Sequence, residues 1–136
     1  KPGREDGLRS FEALLAEADI LSLHAPLTDE TRGILNAAAI ARMKPGAMVV
    51  NTARGELIDE TALAAALRAG HLSGAGLDVF AREPVDPANE LLALANVVVM
   101  PHLAWLTPET LARSMAVAVE NCRRLAAGAP LLHRVA

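Results

Sequence analysis

Three side chains in this sequence could together run a reaction: Arg54, Glu83 and His102. The planar guanidinium of an arginine grips a carboxylate through two parallel hydrogen bonds. A histidine exchanges a proton near neutral pH, and a neighbouring carboxylate favours its charged form and fixes its tautomer. That is the equipment for reducing a carbonyl that sits next to a carboxylate. Taken singly, each residue has an ordinary explanation. An arginine after a strand is usually a surface residue, and a glutamate before a proline is usually a solvated loop residue. His102 can simply end a strand, and Asp78 can terminate one. The case for chemistry depends on whether the chain brings these residues to one place.

The elements that would do so are legible from caps and apolar runs. Ser10 caps a short helix over Phe11 to Ala18, with Glu12 in its first turn, and Asp19 leads into a compact strand at Ile20 to His24. After a polar loop, residues 26–33, a second helix spans Asn36 to Met43 and stops at Lys44-Pro45-Gly46. Ala47 to Asn51 is a nearly continuous apolar run, which predicts a strand covered on both faces. Asp59 caps a helix from Glu60 to Ala69, closed by Gly70. Ala75 to Val79 and Val97 to Met100 are two further strands, separated by an irregular loop holding Pro84 and Pro87. Thr107 as cap and Pro108 at the first helical position open a last helix running to Ala127. Its apolar residues Leu111, Met115, Ala118, Cys122 and Leu125 share one face, which makes Cys122 a small core residue.

Strands alternating with helices predict an α/β fold with a parallel sheet, in which ligands bind beyond the carboxyl ends of the strands. The residues that follow the four strands are His24-Ala25-Pro26, Thr52-Ala53-Arg54, Asp78 to Glu83, and His102-Leu103-Ala104. All four groups are expected at one edge of the sheet, and the constellation gains there the weight its members lack.

Four strings in these places resemble the D-isomer-specific 2-hydroxyacid dehydrogenases, over nearly the whole chain. They are Leu23-His-Ala-Pro-Leu-Thr28, Met43-Lys-Pro-Gly-Ala-Met-Val-Val-Asn-Thr-Ala-Arg-Gly55, Gly74-Ala-Gly-Leu-Asp-Val-Phe-Ala-Arg-Glu-Pro84 and Met100-Pro-His-Leu-Ala-Trp105. The resemblance implies the second half of a Rossmann-type doubly wound parallel sheet, residues 1–104, followed by a helix and tail, 105–136, that return to the substrate domain. It implies hydride transfer between a nicotinamide cofactor and a small D-2-hydroxy or 2-keto acid. In that scheme His102 is the acid/base, Glu83 pairs with it, and Arg54 binds the substrate carboxylate and the nicotinamide region. Ala25, Pro26, Thr52, Ala53, Asp78, Leu103 and Ala104 line NAD together with Arg54 and His102, and Asp78 hydrogen-bonds the nicotinamide amide. NADP is not excluded. The family is usually dimeric through its cofactor domains.

The sequence departs from the family in two ways. Ala104 stands where the family often has glycine, and its methyl is tolerable there if φ is negative. Pro101-His-Leu-Ala-Trp105 is closer to glycerate dehydrogenases and hydroxypyruvate reductases than to phosphoglycerate dehydrogenases. The larger departure is that no G-x-G-x-x-G occurs in the chain. The chain begins at Lys1, and the residue choosing NAD over NADP is expected just before it, so the chain reads as the C-terminal part of an enzyme that binds cofactor poorly alone.

Composition narrows the alternatives. The 136 residues carry a net charge of −3 without a basic face, which argues against nucleic acid. The single cysteine rules out an intrachain disulfide framework, and no apolar run reaches membrane-spanning length. A cytoplasmic protein is the default expectation. His24, His71 and His133 lack metal-ligand spacing, and no metal is assigned; His24 is expected to order a loop and His71 to cap helix carbonyls. Two other functions compete with the enzyme: a non-catalytic NAD(H)-sensing module of the C-terminal-binding-protein corepressor type, which keeps the same arginine, glutamate and histidine, and an inactive truncated remnant. Formate dehydrogenase is disfavoured, because it typically has glutamine at the Glu83 position.

Overall fold

A computed structural model describes residues 8–134. In chain order the elements are α1 (Phe11–Glu17), β1 (Ile20–Leu23), α2 (Ala37–Ala41), β2 (Met48–Asn51), α3 (Glu60–Arg68), β3 (Gly74–Leu77), β4 (Val97–Val99) and α4 (Pro108–Ala126). Short 3₁₀ turns occupy Gly55–Leu57 and Glu90–Ala93. The chain forms two compact units, one ending at His102 and one beginning at Leu103.

The caps read from the sequence, Ser10, Asp59 and Thr107, are in place, and Asn36 is a fourth. The side chains of Ser10, Asn36, Asp59 and Thr107 accept from the backbone N–H three residues on, which satisfies one orphan donor at each helix start. Asn36 is therefore the cap of α2 and not its first residue, and the helix stops at Ala41, earlier than its apolar pattern suggests. Gly70 has φ +71° and closes α3, a conformation glycine adopts without penalty.

The first unit holds one sheet in the order β1-β2-β3-β4, every pair parallel. The register aligns Leu21, Val49, Ala75 and Val97 in one row and Leu23, Asn51, Leu77 and Val99 in the row nearer the strand ends. Parallel neighbours need right-handed crossovers, and a sheet that grows in one direction puts all its crossovers on one face. Leu21, Leu23, Val49 and Leu77 point to that face and join Leu15, Leu35, Ile40, Leu57, Leu63, Leu67 and Leu91 in the core. The other face departs from expectation. Met48 remains 42% exposed and Val98 68% exposed, and Val50 is only half-buried, so β2 is not covered on both faces within this unit. Its apolar run records a side chain pattern for which the crossovers alone do not provide cover.

In the second unit α4 is amphipathic, as the spacing predicts, but none of its residues is buried. Cys122 is exposed, which corrects its reading as a core residue: the face is formed, and nothing within its own unit covers it. Among the described residues no helix is long and apolar enough to cross a membrane.

Candidate active site

The site is built from turns that leave β2, β3 and β4 at their carboxyl ends. At the end of β2, Asn51 is buried, 1% exposed, and its amide shapes the turn that carries Arg54. Its Oδ1 accepts the Ala53 N–H at 3.0 Å, and its Nδ2 donates to the Arg54 carbonyl at 2.8 Å. Both ends of one side chain thus fold residues 51–54 into a fixed bend, and a polar group at that depth is satisfied, as it must be. Arg54 is presented at the surface, with Nη1 donating to the Ala53 carbonyl at 2.6 Å.

Gly55 then lies against the backbone of the loop that follows β3. A Cβ built on Gly55 would fall 1.9 Å from the Phe80 carbonyl carbon and 2.2 Å from the Ala81 nitrogen. Only a glycine lets these two segments touch, and that contact brings the Arg54 turn beside the loop of Glu83.

Within that loop Asp78 is buried, 4% exposed, and its carbonyl accepts the His102 backbone N–H at 2.9 Å. Glu83 accepts the Phe80 N–H through Oε1 at 3.0 Å, and its Oε2 lies 2.8 Å from His102 Nδ1. The hydrogen bond from His102 first, and that from the Phe80 N–H second, hold the Glu83 carboxyl below the usual carboxylate range, against the opposing effects of burial and of Asp78. An ionised Glu83 can only accept, so Nδ1 of His102 carries the donated hydrogen. His102 adopts φ +57°, and Glu83-Pro84 is a cis peptide.

Two hollows meet at this pair. One, about 360 Å³, is lined by Arg54, Glu56, Glu83 and His102 among others, and is the polar side. The other, about 500 Å³, has Asp78, Phe80, Pro84, Val85, Met100 and Pro101 in its walls. The structure thus gathers Arg54, Glu83 and His102 around one hollow, and Asp78 joins the same pair from the other. The apolar walls and a buried carboxylate able to accept an amide N–H suit the nicotinamide end of a dinucleotide. Thr52 and Ala53 form the Arg54 bend. Ala25 and Pro26 follow β1, where the Pro26 carbonyl accepts from Thr31 Oγ1 at 2.7 Å; they line neither hollow. Leu103 and Ala104 open the second unit. His102 and His133 are the only non-glycine residues described with positive φ, so Ala104 meets the condition its methyl requires.

Asn51 and Gly55 shape the site without being expected to. Both stand in the string that ends at Gly55; Asn51 is also a lone polar residue ending an apolar strand, while Gly55 carries no further signal. Two other histidines have local partners. His24 Nε2 is 2.8 Å from Ser22 Oγ. The His71 backbone N–H donates to the Ala66 carbonyl at 3.0 Å and closes α3, while its Nε2 is 3.0 Å from the Ile40 carbonyl of α2. Among the described residues no group of three metal-ligating side chains converges.

Parallel strands, crossover helices on one face and a functional edge at the strand ends define a dinucleotide-binding type of α/β domain. The profile of the D-isomer specific 2-hydroxyacid dehydrogenase NAD binding domain matches residues 3–104, and the chain belongs to that family. It is 48% identical over 120 residues to a glyoxylate reductase of Aeropyrum pernix, covering 88% of this chain and 36% of that protein. A D-isomer specific 2-hydroxyacid dehydrogenase of Xanthobacter autotrophicus, solved with NADPH and MES, superposes with TM-score 0.77 at 45% identity, over 96% of this chain and 53% of that one. The D-lactate dehydrogenase of Lactobacillus jensenii, solved with NAD+, superposes with TM-score 0.86 at 35% identity, over 94% and 42%. The chain therefore spans between about a third and a half of the length of these proteins.

Proposed function

We propose that this chain is the part of a D-2-hydroxyacid dehydrogenase that receives the nicotinamide and carries out proton transfer. Residues 1–104 are the C-terminal half of the cofactor domain, and 105–136 lead back to a substrate domain. The observation that carries the reading is the 2.8 Å contact between Glu83 and His102 beside Arg54 in one hollow.

Bound NAD, or NADP, supplies or accepts the hydride at the substrate carbon. Asp78, in the wall of the apolar hollow, would hold the nicotinamide amide, while Arg54 would grip the carboxylate of a small 2-keto acid on the polar side. His102, its Nδ1–H directed to Glu83, gives the Nε2 proton to the carbonyl oxygen during reduction and takes it back during oxidation. Glyoxylate and hydroxypyruvate are the favoured substrates, the latter on the strength of Pro101-His-Leu-Ala-Trp105. The complete protein is a cytoplasmic homodimer.

The test is oxidation of NADH and NADPH by the complete protein with hydroxypyruvate, glyoxylate and pyruvate. We expect turnover that His102→Ala lowers by roughly 10²–10⁴-fold, the usual contribution of a positioned acid/base. Tight NAD(H) binding without turnover on any small 2-keto acid would overturn the enzyme reading in favour of a cofactor-sensing module.

A further inference from the structure

Glu60 is the first residue of α3, just after its Asp59 cap. An acid there normally serves the helix by facing the positive end of its dipole. Here the carboxylate also reaches across to the loop that bears Glu83. Oε1 accepts the Ala81 N–H at 2.7 Å, and Oε2 accepts from Asn89 Nδ2 at 2.7 Å. The two contacts lie eight residues apart on the loop and bracket Glu83. The neighbouring amide, that of Phe80, is held by Glu83 itself at 3.0 Å. Two consecutive N–H groups are thus bound by two carboxylates, one fixed to a helix and one engaged with His102.

The same helix holds the far end of the loop a second time, through the ion pair of Arg68 with Glu90. Asn89 is itself fixed, because its Oδ1 accepts the Leu91 N–H at 3.0 Å and caps the 3₁₀ turn. The bare Cα of Gly55 also abuts the Phe80 and Ala81 backbone. The loop is exposed over Ala81 to Pro84, between Phe80 in the core and Val85 packed against it, so apolar anchors hold its ends and these polar contacts set the stretch between them. Charge-assisted bonds to a carboxylate are about twice as strong as neutral ones.

We propose that Glu60 is a positioning residue for the reaction: by holding Ala81 and Asn89 it sets the loop so that Glu83 Oε2 meets His102 Nδ1. The assignment rests on the Glu83–His102 reading above, and acts on it from outside the hollows, without touching substrate or cofactor. Small displacements matter at such a pair, since misplacement by about 1 Å can cost 10²-fold in rate.

The test is an NMR titration of the Glu83 carboxyl in the complete protein, comparing wild type with Glu60→Ala, Glu60→Gln and His102→Ala. In the wild type Glu83 titrates below the usual carboxylate range. With Glu60→Ala it is expected to move up toward that range, and the Ala81 amide to exchange about 10-fold faster. Glu60→Gln keeps one oxygen for the Ala81 N–H and is expected to restore most of the wild-type titration. In the complete protein, Glu60→Ala lowers kcat about 10- to 100-fold with little change in KM for the cofactor. A purely structural Glu60 would lower the melting temperature and leave the Glu83 titration where it was; that result overturns the proposal. Should Glu60→Ala fail to fold, Glu60→Ser removes both contacts while keeping a short polar residue in the first turn, and Asn89→Ala removes the second anchor; a Glu83 unmoved in both overturns the proposal. If His102→Ala leaves the titration unmoved, the pair itself is wrong and this inference falls with it. If His102→Ala moves it and neither Glu60→Ala nor Asn89→Ala does, only the role of Glu60 is lost.

Discussion

Gly55→Ala tests whether the Arg54 turn and the Glu83 loop are held together by direct backbone contact. The added carbon would sit 1.9 Å from the Phe80 carbonyl carbon and 2.2 Å from both the Phe80 oxygen and the Ala81 nitrogen. Non-bonded carbons rest at about 3.5–4.0 Å, so the two segments must separate by roughly 1.5 Å or more. No flexible side chain can give way, because every atom met is backbone. The Phe80 and Ala81 amides also have little room to follow, bound as they are at 3.0 and 2.7 Å. Overpacking costs about 1–3 kcal/mol, and a backbone clash on this scale belongs at the upper end. Replacing glycine also restricts the unfolded chain, which returns about 0.4–1 kcal/mol. The net expectation is a loss of about 2 kcal/mol, or roughly 30-fold in the folding equilibrium. Urea denaturation of the chain reads this as a midpoint lowered by about 1 M. Gly76→Ala is the control, since its Cβ would meet only Val50 Cγ2, at an ordinary 3.9 Å. If Gly55→Ala is no less stable than Gly76→Ala, the close approach is not real, and the argument joining Arg54 to Glu83 through it fails.

Arg54→Lys retains the charge but loses the forked donor geometry, and in the complete protein kcat/KM for 2-keto acids should fall about 10–100-fold; unchanged values would remove Arg54 from the substrate site. Asn51→Ala strips the partners from the Ala53 N–H and the Arg54 carbonyl, so a loss of about 1–3 kcal/mol is expected in chemical denaturation, with a stability equal to wild type counting against the bend. Because the folded-state pKa of Glu83 is depressed, its pairing stabilises the loop above the usual carboxylate range and is lost as pH falls through the lowered value. The Phe80 amide shift should report that transition, and it should be missing in Glu83→Gln.

What the sequence disclosed follows from how local each signal is. Ser10, Asp59 and Thr107 act on amides three residues away, so the helix starts were readable directly. The parallel order followed from alternation of apolar runs with capped helices. The grouping of Arg54, Glu83 and His102 was readable because each follows a strand, and strand ends share an edge. Three features were not. The exposed face of β2 depends on which side the crossovers lie, and an apolar run such as Ala47 to Asn51 does not encode that. The role of Glu60 depends on a contact 21 residues away in a loop without periodicity. The exposure of Cys122 depends on what covers α4, which spacing along one helix does not specify.

The left-handed backbone of His102 has a consequence for attempts to stabilise this protein. A side chain at φ +57° costs on the order of 1–2 kcal/mol that glycine would not bear, although histidine tolerates the region better than branched residues do. Selection for folding alone therefore favours glycine at this position, while the function proposed above needs the imidazole. Laboratory evolution scored only by yield or heat resistance would be drawn toward erasing the proposed acid/base. The two pressures pull apart at a single residue, and a library meant to improve robustness should hold that codon fixed.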